Sequence, residues 1–301
     1  MTAFLIIRAT ILAILLVTTL IIIIGVSIRR SGLAMDSSGK TIEFAFDNQK
    51  IPDQLLQDAA AVAKELFPKN LHEQEDFAKS AIGLVCYCKN KDALLVFNSG
   101  GYGRAHFNGS TGWDKILNGM YEILDNLGVK HTAISYNRAI SLWSGFANEQ
   151  GAWFNANKKQ VEEQVAKLFL CLRHNHNLRI ILCGESNGSY FSYQVFQLLC
   201  QSNRVYAVLT GPPPFRRMNK HDMCYITRTN GKEPDTFSYG KIGAIIGRNF
   251  KIIIGNGQTI DGGKILNSIG APGHVYGWEG YPLLQQEIYE FIVKYFENQN
   301  K

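Results

Sequence analysis

From residue 94 to residue 210 the chain alternates short, unbroken apolar runs with longer stretches whose apolar residues recur three or four apart. The unbroken runs are 94–98, 178–183 and 205–210, and 129–136 is a further, more mixed strand-like run; the periodic stretches between them are 113–127, 158–174 and 190–200. An apolar run with no polar alternation suits a strand covered on both faces, and such strands between helices mark a parallel sheet. The order strand, helix, strand, helix, strand, helix, strand predicts a doubly wound, mostly parallel α/β sheet. Upstream, residues 51–67 carry Leu55, Leu56, Ala59, Val62, Ala63, Leu66 and Phe67 at helical spacing and stop at Pro68. Residues 81–88 and 93–98 both read as strands, and Lys89-Asn90-Lys91-Asp92 between them reads as a hairpin turn. That reading puts Cys86 and Cys88 on one face, either side of Tyr87. Downstream, 225–229 and 250–255 are strand-like and 283–296 is a final helix, while 139–157 is irregular and holds Trp143, Phe146, Trp153 and Phe154. No internal repeat is present.

The N-terminus follows a different rule. Residues 9–28 read ATILAILLVTTLIIIIGVSI, about twenty residues without a charge, enough for a helix to span the hydrocarbon core. The run is longer than a signal-peptide core, and no small-residue cleavage site precedes Arg29, so an uncleaved anchor is expected. Arg8 precedes the span and Arg29 and Arg30 follow it, a balance that favours a cytoplasmic C-terminal domain for a single-pass protein. Asn108-Gly109-Ser110 is a glycosylation acceptor if the domain faces a lumen instead. The expected organisation is an anchor over 1–30, a polar Gly- and Ser-containing linker over 31–50, and one α/β domain over 51–301.

Composition narrows the function classes. The chain has 301 residues, 46% hydrophobic and 19% charged, an ordinary balance for a globular domain rather than a disordered one. A net charge of +6 comes from scattered Lys and Arg with no basic stripe, so nucleic acid is not an expected partner. The six cysteines lie within apolar patterns without disulfide or zinc spacing, and read as structural thiols in a reducing compartment. No P-loop occurs, the spacing after Gly100-Gly101-Tyr102-Gly103 fails the dinucleotide fingerprint, and neither metal nor cofactor is expected.

The most specific chemical signal lies between the 178–183 strand and the following helix. Gly184-Glu185-Ser186-Asn187-Gly188 is G-x-S-x-G in the strand–turn–helix setting the motif requires. The serine must sit in a strained turn, and residues without side chains on either side let strand and helix close around it. Its Oγ then projects from the strand's C-terminal end, and the helix N-terminus offers N–H dipoles to a developing oxyanion.

With this elbow, residues 81–296 resemble the α/β-hydrolase superfamily of lipase and esterase type. The resemblance implies an early strand ending in a glycine-rich loop that donates one oxyanion-hole N–H, a place filled here by Leu94-Leu-Val-Phe-Asn-Ser-Gly100-Gly101-Tyr-Gly103. It implies a second N–H from the residue after the nucleophile, Asn187. It further implies a general base in a loop before the last helix, where His274 lies in Ala271-Pro-Gly-His-Val-Tyr-Gly-Trp278. Its third implication is an acid between the two. Asp235, after the 225–229 strand, is preferred; Asp261 is the alternative, with Glu233 behind it. Gly211-Pro-Pro-Pro-Phe215 is expected at the rim, and residues 143–154 occupy the place of a lid or acyl-pocket insertion.

The function implied is a membrane-anchored serine hydrolase that cleaves a small-molecule or lipid-like carboxylic ester through an acyl-enzyme on Ser186. A serine peptidase or thioesterase on the same fold, and a non-catalytic hydrolase-like module tethered to a membrane, stay open as alternatives.

Overall fold

The computed structural model describes residues 33–36, 38, 40–42, 51–100, 106–107, 112–138, 158–214, 216–241, 243–247, 271 and 273–297. Its elements are β1 (Leu33–Met35), α1 (Asp53–Leu66), α2 (Leu71–Tyr87), β2 (Ala93–Asn98), α3 (Trp113–Asn126) and β3 (His131–Asn137). After these come α4 (Lys158–His174), β4 (Arg179–Glu185), α5 (Asn187–Leu199), β5 (Val205–Thr210), β6 (Cys224–Thr227) and α6 (Pro282–Phe296). The strands form one sheet in the order β1-β3-β2-β4-β5-β6. All neighbours pair in parallel except β1, which runs antiparallel to β3.

The unbroken apolar runs are explained by two cores. Along β2, Leu94 and Val96 point into a core built with α1, α2, α4 and α5, while Ala93, Leu95 and Phe97 point into another built with α3 and α6. The same alternation recurs on β4, where Ile180 and Leu182 face one side and Ile181 and Cys183 the other. Every residue of β2 and β5 is buried. A strand covered on both faces has no place for a polar side chain, and so it loses the period-two signal.

The expected hairpin before β2 is not there. Residues 81–87 are the C-terminal half of α2, a helix opened by Asn70, whose side-chain oxygen accepts the backbone N–H of Glu73 at 3.2 Å. Ala81, Ile82, Gly83, Leu84 and Val85 are all buried between the sheet and neighbouring helices. A helix buried all round shows an unbroken apolar run of the same kind as a buried strand. The face assignment for Cys86 and Cys88 falls with it: Cys88 is buried and Cys86 half-buried, on a helix end, and all six cysteines are free thiols.

Part of the expected linker is also structured. β1 lies in it, and Ala34 and Ile42 are buried against the sheet, held as a small hairpin by Ile42 N–H donating to Ala34 O at 2.8 Å. Asp36 closes that turn by accepting from the backbone N–H groups of Ser38 and Lys40. Among the described residues no helix is long and apolar enough to cross a membrane, and the 9–28 span lies outside them. The 139–157 segment and the 250–255 strand also lie outside the described residues.

Candidate active site

In the strand order, β2 connects outward to β3, while β4 lies on its other side and leads toward β5 and β6. The chain therefore reverses its winding direction between β2 and β4. A crevice beyond the C-terminal ends of the strands at such a switch point is where open α/β sheets bind ligands. Gly100 follows β2 and Ser186 follows β4, so both motifs flank this point.

Ser186 occupies the turn from β4 to α5 with φ 52° and ψ −123°. That backbone is strained for a residue with a Cβ. It is held from β5, because Ser186 N–H donates to Thr210 O at 3.0 Å. The glycines of the motif are required by contact. A Cβ on Gly188 would stand 2.0 Å from Asn98 O and 2.5 Å from Ser99 O, and one on Gly184 would stand 2.7 Å from Gly188 O. Gly100 is pressed onto the elbow, where a Cβ would lie 3.0 Å from Ser186 Cβ. Asn187 is the first residue of α5, so its N–H lies at the positive end of the helix. Gly101 lies outside the described residues.

His274 and Asp235 meet, 39 positions apart in sequence. The His274 ring nitrogen Nδ1 is 2.8 Å from Asp235 Oδ2. An ionised carboxylate can only accept, so Nδ1 carries the hydrogen and Nε2 is left as the basic nitrogen. The pair abuts the strand that restrains Ser186. Glu185 pairs with Thr210, and Gly211, the next residue, is so close that a Cβ on it would lie 3.0 Å from both His274 Cε1 and Asp235 Oδ2. Gly211 has φ +58°, which a glycine adopts without cost.

Asp235 is fully buried in the turn after β6. Burial alone would raise its carboxyl, but the hydrogen bond and charge of His274 together with the Ser238 donors outweigh it and hold the group below its ordinary value of 3.8. Asp235 Oδ1 accepts the backbone N–H groups of Phe237 and Ser238 at 2.9 and 3.1 Å. The His274 loop is tied down by Asn230 Nδ2 donating to Val275 O at 3.0 Å, and by His274 N–H donating to Ala271 O at 3.1 Å. Glu233 is exposed nearby and meets neither residue; Asp261 lies outside the described residues. The other histidine after the elbow, His221, is exposed and has its Nδ1 on Met223 N–H.

Four residues with a part in this arrangement were not singled out from the sequence. Tyr276 and Ser238 donate to Asp235 Oδ2, each at 2.8 Å. Asn98 and Arg138 fix the strand end beside the elbow. Asn98 Nδ2 donates to Ser192 Oγ, which donates on to Cys183 O, and Arg138 Nη2 donates to Ser99 O at 2.7 Å. Tyr276 stands two residues from His274, and Asn98 is a polar residue ending an apolar strand; those were the available signals. Arg138 had none, because its partner is a main-chain atom 39 residues away; Ser238 stands three residues after Asp235, and that spacing was its only signal.

A cavity of about 370 Å³ opens at the opposite, N-terminal end of the strands, lined by Asp92, His176, Arg179 and Arg204 among others. Its arginines serve helix ends: Arg179 donates to Tyr295 O, and Arg204 to Leu172 O and Asn175 O. Among the described residues no group of three His, Cys, Asp or Glu side chains is arranged to hold a metal ion.

No family model matches the chain, and no curated protein is similar to it in sequence. Among solved structures it is similar to Trichoderma reesei cutinase in complex with a C11Y4 phosphonate inhibitor, at 12% identity and a TM-score of 0.42, over 82% of this chain and 93% of that one. It is also similar to an alpha-beta serine hydrolase homologue from Coxiella burnetii, at 17% identity and a TM-score of 0.32, over 67% of this chain and 83% of that one.

Proposed function

We propose that this chain is a serine hydrolase of the α/β-hydrolase type that cleaves carboxylic esters through an acyl-enzyme on Ser186. The observation that carries the reading is the 2.8 Å contact of His274 Nδ1 with a buried Asp235 beside the β5 end that holds a positive-φ Ser186. In this mechanism His274 Nε2 removes the Ser186 proton as Oγ attacks the ester carbonyl. Oxyanion charge develops toward the Asn187 N–H at the positive end of α5 and toward Gly100, which packs on the elbow. His274 then passes the proton to the departing alcohol. In the second half-reaction a water gives a proton to His274 as it attacks the acyl carbonyl; the acyl–Oγ bond then breaks, His274 returns the proton to Ser186 Oγ, and the acid is released. Asp235 stays ionised throughout and keeps the imidazole in one tautomer.

The substrate class rests on sequence. The uncharged 9–28 run supports a single-pass membrane anchor, and the aromatic 143–154 segment supports a hydrophobic or lipid-like acyl group. The Arg8 against Arg29 and Arg30 balance supports a cytoplasmic domain.

A fluorophosphonate probe is expected to label the full chain in detergent, and Ser186→Ala to abolish labelling. Labelling that persists in that variant, or is absent from the native chain, overturns the enzyme reading and leaves a tethered hydrolase-like module. Across p-nitrophenyl esters of rising chain length, kcat/KM is expected to rise from acetyl toward longer acyl groups. A flat or falling series removes the hydrophobic-acyl assignment. An unmodified Asn108 in microsomes is the expected outcome for a cytoplasmic domain.

A further inference from the structure

Three donors converge on one oxygen of Asp235. Oδ2 accepts from His274 Nδ1, from the Ser238 hydroxyl and from the Tyr276 hydroxyl, each at 2.8 Å. Oδ1 takes two backbone N–H groups. A carboxylate offers about four lone-pair sites, so five donors more than fill it. The turn does not need both hydroxyls. Its backbone is closed through Oδ1, and the Tyr276 ring is fully buried in the core formed with α3 and α6 whether or not it carries oxygen.

We infer that Tyr276, supported by Ser238, is a positioning residue for the proposed hydrolase: its hydroxyl fixes Asp235 Oδ2 and limits how firmly that carboxylate holds a proton on His274. The inference rests on the serine-hydrolase reading and deepens it. Hydrogen bonds to the ionised form make a carboxylate less basic. Each donor on Oδ2 therefore weakens the grip of that oxygen on the Nδ1–H. Acyl transfer needs a histidine that takes a proton and gives it up again; an anion that bound the imidazolium too tightly would favour the first step and slow the return of the proton. Tyr276 remains a donor, because burial and the adjacent carboxylate push its phenol well above the ordinary range.

Among the described residues, few titratable and charged groups lie around the pair. From the β6 side come Tyr225, bonded to Glu287 of α6 at 2.6 Å, and Arg228, whose Nη1 donates to Ser238 O. Neither is altered in the variants below.

Two measurements separate this inference from the reading on which it rests. In the native chain, the rate of fluorophosphonate labelling against pH has an acid limb set by the base. In Tyr276→Phe that limb is expected to move up by about half a pH unit, with the plateau rate lower by about tenfold, as for one lost hydrogen bond to a charged group. With p-nitrophenyl esters kcat should fall while KM stays put. Proton NMR reads the same bond without catalysis: the low-field His274 Nδ1–H signal should move to lower field in Tyr276→Phe, because Oδ2 becomes the better acceptor. Ser238→Ala should move both readouts the same way and serves if the phenylalanine variant does not fold. A folded variant with native acid limb and native Nδ1–H position overturns the inference. A native chain that fails to label overturns the hydrolase reading instead, while the NMR comparison still stands.

Discussion

At the scale of single residues, the site is made by contacts that leave no room for alternatives. Ser186 holds a backbone conformation that glycine reaches freely and serine does not, and a hydrogen bond from its N–H to Thr210 O keeps it there. Such strain costs about 1–3 kcal/mol and persists only where the surroundings over-determine it. Ser186→Gly removes the strain and the proposed nucleophile together, although glycine loses part of the gain to greater freedom in the unfolded chain. The glycine variant should therefore melt above Ser186→Ala by about 2–4 °C, the effect of ~1 kcal/mol on a domain of this size. Equal melting points by calorimetry would mean that the turn is not strained. Ser186 was legible in the sequence because its neighbours are fixed by steric need: Gly184 and Gly188 have main chain within 3 Å of where a Cβ would go. Asp235 was only preferred over Asp261, because what distinguishes it is depth: it is fully buried and met by donors from two loops, and neither property shows in the local sequence.

At the scale of elements, periodicity served where one side of a segment meets solvent and failed where none does. α3 reads as a helix because its apolar residues return every three or four positions, and seven of them, from Trp113 to Leu124, are the buried ones. The second half of α2 reads as a strand because it is covered on all sides. α4 shows the opposite effect, a charged-looking helix two of whose charges lie inside. Lys167 and Glu163, one turn apart, pair at 3.0 Å with side chains 0% and 3% exposed. Taking two charges out of water is compensated only while both are present. Glu163→Gln or Lys167→Met alone should destabilise the domain by about 3–5 kcal/mol, whereas Glu163→Leu with Lys167→Met should come near native stability. Urea unfolding of the two single variants and the double variant checks this. Additive losses would show that the pair is not an interacting unit.

At the scale of the whole molecule, the winding order was legible because β2, β3 and β4 are each followed by a helix that must cross back over the sheet. The edge was not. β1 is three residues long, lies in a polar stretch read as a linker, and is specified by pairing with β3 rather than by its own pattern. Its position matters because it covers the outer edge of β3, whose main-chain groups on that side would otherwise be open to pairing with another chain. It also follows the proposed anchor directly, so the segment joining anchor to domain is in part sheet. Two truncated chains separate these roles. One starting at Ser31 keeps β1 with Thr41 and Ile42, and should be soluble and monomeric by size-exclusion chromatography once the apolar span is gone. One starting at Ile51 loses β1 and the buried Ala34 and Ile42. Burial of those two side chains is worth about 2–4 kcal/mol, so the shorter chain should melt at least several degrees lower and associate through the bared β3 edge. If it stays monomeric at native stability, β1 is no more than a tether, and the sheet is complete at β3.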